Sequence, residues 1–287
     1  MKGAIDAWCN VFTHEGIRIV FSENPEVSFT MGDQWGRHHL MVGYEPEEFI
    51  DKMDEHGIER VIMPALKQYL YRSRELVEVP WQHVASLIEK WPDRFSGTFG
   101  VDPYSGLPGV KELETAVRDY GFIGAHVHPH GFDVPINDYR LFPAYTKCAE
   151  LGVPVEFQAG HSAEFMPSAH GRPILLDDVA LYFPELDLIG AHCAWPWVEE
   201  MIAMAWKHPN IYLCVSGHAP KYWDPKMVKF LDSRGIGKVL WGTDYPLIQH
   251  DEGLSQIDDL GLKPHAKEAL LRGAAAKLWG FDDDADE

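Results

Sequence analysis

The chain of 287 residues carries fifteen histidines, and those in or just behind short apolar runs are the ones placed to do chemistry. In "HVHPHG" His126 and His128 alternate along an extended run and so turn to one side, where two imidazoles can converge on a metal or a substrate, or hydrogen-bond each other near a rim. His192 in "IGAHCAWPW" follows a wholly apolar run, and burial there keeps an imidazole neutral and available as a base. Asp244 in "VLWGTDYP" follows another, and its carboxylate suits orienting water, pairing with an imidazole or binding a metal, or shapes the turn alone. "VEFQAGHSAE" contributes Gln158 near the end of its run and His161 in a Gly-preceded turn, while Glu156 is expected to face a helix layer or enter a buried ion pair. "LCVSGHAP" offers Ser216 and His218, but without a G-x-S-x-G elbow a serine nucleophile is poorly supported. Arg172 stands at the start of a helical window and is expected either to grip a substrate carboxylate or to cap a loop.

These residues need a frame that brings run ends together. Eight β-rich runs are expected at 4–8, 60–64, 95–101, 124–127, 155–158, 187–191, 211–215 and 239–242, separated by amphipathic windows such as 46–56 and 140–151. Gly57, Gly121 and Gly152 stand where helix C-caps are wanted. Alternation of this kind predicts a single-domain (β/α)₈ TIM barrel over 1–287, with an acidic tail at 282–287. Active sites in such barrels form at the C-terminal strand ends, where the residues above fall. The connection from Asn10 to Tyr44, roughly 35 residues, is far longer than usual, and is expected to act as a lid or to cover the mouth or a subunit interface.

A formal net charge of −19 with no offsetting basic run excludes nucleic acid and anionic membranes as natural partners. No run reaches the roughly 18 apolar residues a membrane span requires, so a cytoplasmic protein acting on a small molecule is expected. The four cysteines show no C-x-x-C spacing and read as reduced thiols. The apolar stretch "AWPWVEEMIAMAW" either packs on the barrel or supports a homodimer.

The segments "AIDAW", "PEEFIDKMDEHGIERVIM", "YGFIGAHVHPHGFDVPINDYRLFPAYTKCAELGVPVEFQAGH", "PELDLIGAHCAWPWVEEMIAMAWKHPNIYL" and "KVLWGTDYP" occur in the order found in the amidohydrolase superfamily. The chain resembles its amidohydrolase-related group, which includes aminocarboxymuconate-semialdehyde decarboxylase and related aromatic-acid decarboxylases. The resemblance implies metal ligands at a His-x-His on strand one, a His on strand five and an Asp on strand eight, with a strand-six His as ligand or base. Position by position, His192 and Asp244 match, whereas Trp8, Asn10 and Gln158 stand where the other three ligands belong. Indole is no ligand and amides are poor ones. No tightly bound metal is therefore expected, with Zn or Mn held by His192, Asp244 and His161 as the alternative.

The expected activity is metal-independent hydrolysis of an ester, lactone or amide in a small aromatic or carboxylated substrate. His192 or Asp244 would activate water, with His126, His128 or His161 stabilising the oxyanion. Trp8, Asn10, Gln158, Arg172, Trp195 and His218 are the expected substrate contacts. A lyase, either decarboxylase or hydratase, is the alternative the resemblance implies, and a ligand-binding barrel without turnover is the third.

Overall fold

In the computed structural model, which describes residues 2–281, the strands are β1 (Ala4–Asp6), β2 (Ile58–Pro64), β3 (Lys67–Tyr69), β4 (Leu76–Glu78), β5 (Phe95–Gly100), β6 (Gly124–Val127), β7 (Val155–Phe157), β8 (Leu188–Gly190), β9 (Ile211–Cys214) and β10 (Val239–Leu240). Eight of them form one parallel sheet in the order β1-β2-β5-β6-β7-β8-β9-β10. Its two edges meet through Ala7 N–H to Trp241 O at 2.8 Å and a parallel bridge between Cys9 and Tyr245. This is a (β/α)₈ TIM barrel. The antiparallel hairpin β3/β4 is an insertion that strand periodicity did not announce. The expected acidic tail at 282–287 lies outside the described residues.

The barrel strands are buried on both faces, so polar-apolar alternation along them is weak. Orientation follows from contacts instead. Phe157 meets Tyr145 of the helix Phe142–Leu151 edge-on, with ring centroids 5.8 Å apart, so Phe157 faces the helices and Glu156 faces the barrel interior. The expectation that Glu156 faces the helix layer or joins an ion pair is thus corrected: its carboxyl oxygens have no hydrogen-bond partner, and burial pushes its pKa well up. Gly121 and Gly152 cap their helices in the left-handed conformation, as their spacing predicts. The helix Val198–Lys207 buries Val198, Met201, Met204 and Ala205 within the fold, whereas Trp195 and Trp206 of the apolar "AWPWVEEMIAMAW" stretch stay exposed.

The long connection after β1 is folded into helical turns over His14–Gln34, capped by Thr13 and Asn24. Phe12 stacks on Phe49 at 3.8 Å and anchors its start. All four cysteines are buried free thiols. Among the described residues no helix is long and apolar enough to cross a membrane.

Asp6 closes the seam. Its fully buried carboxylate accepts from Trp8 N–H at 3.1 Å and Thr243 N–H at 2.9 Å, takes the Thr243 hydroxyl, and meets His250 Nε2 at 2.9 Å. Removing it leaves buried donors from three segments without an acceptor. Asp6→Ala is therefore expected to lower unfolding free energy by about 3–5 kcal/mol in a denaturant titration. A loss below about 1 kcal/mol would show that the seam closes without it.

Candidate active site

Above the C-terminal strand ends lies a cavity of about 460 Å³, within the roughly 300–1,000 Å³ of small-molecule sites. Its floor includes Asn10, His128, Gln158, His192 and Asp244 from the strand ends. The connection after β1 forms its roof with Phe21, Met31 and Trp35, so that the segment covers the mouth of the barrel. His161, Trp195 and His218 line one wall, with the His161 and Trp195 rings edge-to-face at 4.8 Å.

His192 and Asp244 are brought together, as their types suggested, with Nδ1 and Oδ2 3.9 Å apart. Both residues have left-handed backbone, φ 57° in each case, and His192 begins a run of three such residues through Ala194. Non-glycine residues held there cost of order 1–3 kcal/mol each and cluster at functional sites. The turn lets the imidazole reach inward, and Gly217 makes room for it, since a Cβ at that position would lie 2.8 Å from His192 Nδ1. Ser216 is not a nucleophile facing the cavity: its buried Oγ accepts from His192 N–H at 3.2 Å and lies 3.1 Å from Nδ1, fixing the ring.

Burial pushes the Asp244 carboxyl up to about 7, the hydrogen bond from Asn10 opposing and the charges of Asp6 and Glu164 adding to the rise. Burial, reinforced by neighbouring histidines, lowers His192 to about 3 and His218 to about 4, and burial also lowers His161. At neutral pH His192, His218 and His161 are thus neutral, beside a carboxyl poised between its two forms.

Several expected contacts lie elsewhere. Arg172 is half exposed and clamps Glu200 through Nε and Nη2 at 2.6–3.1 Å, because the segment carrying it has turned away from the mouth. His126 does not line the cavity. It is fully buried in β6 beneath Trp8, with ring centroids 5.1 Å apart, and burial holds it well below the ordinary imidazole range. His128 lines the cavity and His126 does not, so the pair does not meet a ligand there together. Trp8 is likewise a support and not a wall, packed edge-on against His192 at 4.6 Å.

The donor set does not fit a divalent metal. The Asn10 amide nitrogen donates to Asp244 Oδ1 at 2.8 Å and to the Tyr245 carbonyl at 2.9 Å, so an N–H group faces the carboxylate where a ligand lone pair would be needed. His192, Asp244 and His161 form no triad: among the described residues no group of three His, Cys, Asp or Glu side chains can hold a metal.

Sequence reasoning passed over Glu164 and Gln68, which also line the cavity. Gln68 Nε2 donates to Glu164 Oε1 at 2.7 Å. Glu164 stands three residues past His161 in the same strand-end stretch, a usable signal, whereas Gln68 sits on the unannounced hairpin.

A family model described as Amidohydrolase matches residues 5–281. The chain is 21% identical over 279 residues to 2-amino-3-carboxymuconate-6-semialdehyde decarboxylase from Dictyostelium discoideum, covering 83% of this chain and 77% of that one. Among solved structures it superposes with TM-score 0.79 on an uncharacterized TIM-barrel protein from Bordetella bronchiseptica, 23% identical, covering 96% of this chain and 98% of that one. It also superposes with TM-score 0.70 on a dihydroxybenzoic acid decarboxylase from Polaromonas with bound manganese and 2-nitroresorcinol, 19% identical, covering 98% of each. With the family model spanning nearly its whole length and the barrel and strand-end site to match, the chain belongs to the amidohydrolase family.

Proposed function

We propose that the protein is a non-oxidative carboxy-lyase acting on a small aromatic or unsaturated carboxylic acid, with Asp244 as proton donor and no tightly bound metal. Two of the proteins it is similar to are decarboxylases, which supports this alternative over the expected hydrolase. The observation that carries the mechanism is the Asp244 carboxyl, held near 7 and facing the cavity beside a neutral imidazole. A carboxyl that stays protonated near neutrality can deliver a proton to carbon.

In this reading the protonated Asp244 transfers its proton to the carbon bearing the substrate carboxylate. The carbon–carbon bond then breaks, its electron pair restores the conjugated system, and carbon dioxide leaves. The Asp244 anion that remains accepts the Asn10 N–H at 2.8 Å, which steadies a charge that a cation steadies in a metal site. His192, 3.9 Å away, assists return of a proton from water. Asn10, Gln158, His161 and His218 are the polar contacts available to the substrate, and Trp195 supplies an aromatic face. Manganese is present in a decarboxylase of the same fold; in this reading the Asn10 N–H is the group that faces the Asp244 carboxylate.

Incubation with 4-hydroxybenzoate, 4-aminobenzoate and related monocarboxylic aromatic acids in D₂O is expected to release carbon dioxide and place one deuterium on the vacated carbon. Hydrolysis of a lactone or ester panel without any such release would contradict the lyase.

The acid form of Asp244 is the active one, so kcat is expected to hold below pH 7 and to fall about tenfold per unit above it. A rate that instead rises through pH 7 would make Asp244 a base.

Asp244→Asn is expected to lower kcat by about 10²–10⁴-fold. Because the folded-state pKa is raised, burying the charge costs stability increasingly as pH rises from about 4 to about 7. The variant should therefore melt above the parent at pH 8, with the gap shrinking towards pH 5.

A further inference from the structure

We propose that Glu164 is the specificity-determining group of this cavity. It selects a substrate with one carboxylate and, on the far side of its ring, a hydroxyl or amine that donates a hydrogen bond. The inference rests on the cavity being the active site, as proposed above, and not on which bond is broken there.

The Glu164 carboxylate is built into the wall by three donors. Gln68 Nε2 at 2.7 Å and Asn24 Nδ2 at 3.1 Å both reach Oε1, and His128 Nε2 lies 3.4 Å from Oε2. His128 Nδ1 accepts the Gly131 N–H at 3.0 Å, so the ring proton sits on Nε2 and faces the carboxylate. Burial alone would raise the Glu164 pKa, but these bonds hold it below the ordinary carboxylate value, and it is charged at neutral pH. Oε1 is occupied twice, whereas Oε2 has a single long contact and keeps capacity to accept from a ligand. Beside it, Gln68 is 1% exposed, and its Oε1 is a buried acceptor without a hydrogen-bond partner. The open Oε2 on this wall calls for a donor.

No Lys or Arg lines the cavity among the described residues. Arg37 spends Nη1 on the Leu247 carbonyl at 2.8 Å, and Arg72 is not among the lining residues. A second substrate carboxylate placed at this wall would meet the Glu164 charge with no cation to offset it. In the barrel order β6, which leads into His128, stands diametrically across from β10, which leads into Asp244. The Glu164 charge nevertheless reaches the Asp244 carboxyl. One small ring can therefore present its carboxylate carbon to Asp244 and its opposite edge to Glu164.

Closing the lid does not require Oε2. The lid is already tied to the same segment by the Thr30 hydroxyl to Ala163 O at 3.0 Å, and by Phe165 N–H to Glu26 Oε2 at 3.0 Å.

The test is calorimetric binding of benzoate, 4-hydroxybenzoate, 4-aminobenzoate, 4-methoxybenzoate and terephthalate to the full chain. The hydroxy and amino acids should bind about tenfold or more tighter than the methoxy acid and terephthalate. In Glu164→Gln, checked by its melting temperature, that preference should shrink to about threefold or less. Terephthalate binding the parent as tightly as 4-hydroxybenzoate, an undiminished preference in the variant, or failure of all five to bind would each overturn the proposal. If the variant does not fold, the parent series alone decides. A preserved preference without any carbon dioxide release would overturn the lyase reading alone.

Discussion

The buried carboxylate of Asp6 holds the molecule's chemistry in place. A parallel barrel must join its last strand to its first, and here β10 contributes only two residues to the ladder. Asp6 makes up the deficit by gathering Trp8 N–H, Thr243 through its backbone and hydroxyl, and His250 from the following helix. The segment 241–245 is thereby pinned to the end of β1, and the Asp244 and Thr243 N–H groups both bond the Trp8 carbonyl. Asn10 and Asp244, 234 residues apart in sequence, meet at 2.8 Å because of this seam.

The substitution at the head of the site is coherent with that frame. Trp8 packs against both His192 and His126 inside the barrel, and Asn10 turns an amide N–H towards Asp244. A cation would hold Asp244 ionised at all working pH values, whereas an amide leaves it subject to burial and able to carry a proton. The left-handed turns at His192 and Asp244 aim both groups at one cavity, and the lid roofs it with apolar side chains. The combination suits proton transfer to carbon in a confined space.

Much of this was legible in the sequence. All eight barrel strands lie within two residues of their expected limits, because apolar runs bounded by glycine caps report burial and chain reversal directly. His192, Asp244, His161 and Gln158 were found because they stand at run ends. What period-two alternation cannot report is depth: His126 and His128 share a face, yet only His128 reaches the cavity. It also fails where both faces are apolar, and so Glu156 was turned the wrong way. Arg172 was misplaced because the path of an irregular segment depends on partners such as Glu200, distant in sequence. Glu164 depends on a hairpin, a lid turn and a β6 histidine meeting at one point, which no local pattern encodes.

The central claim is that an amide, and not a cation, faces Asp244 in the working protein. Elemental analysis of the purified protein, performed on the same sample whose turnover is measured, tests it most directly. The account predicts well under one tenth of an equivalent of zinc or manganese, with undiminished turnover. One equivalent of either metal, rising and falling with activity, would contradict it.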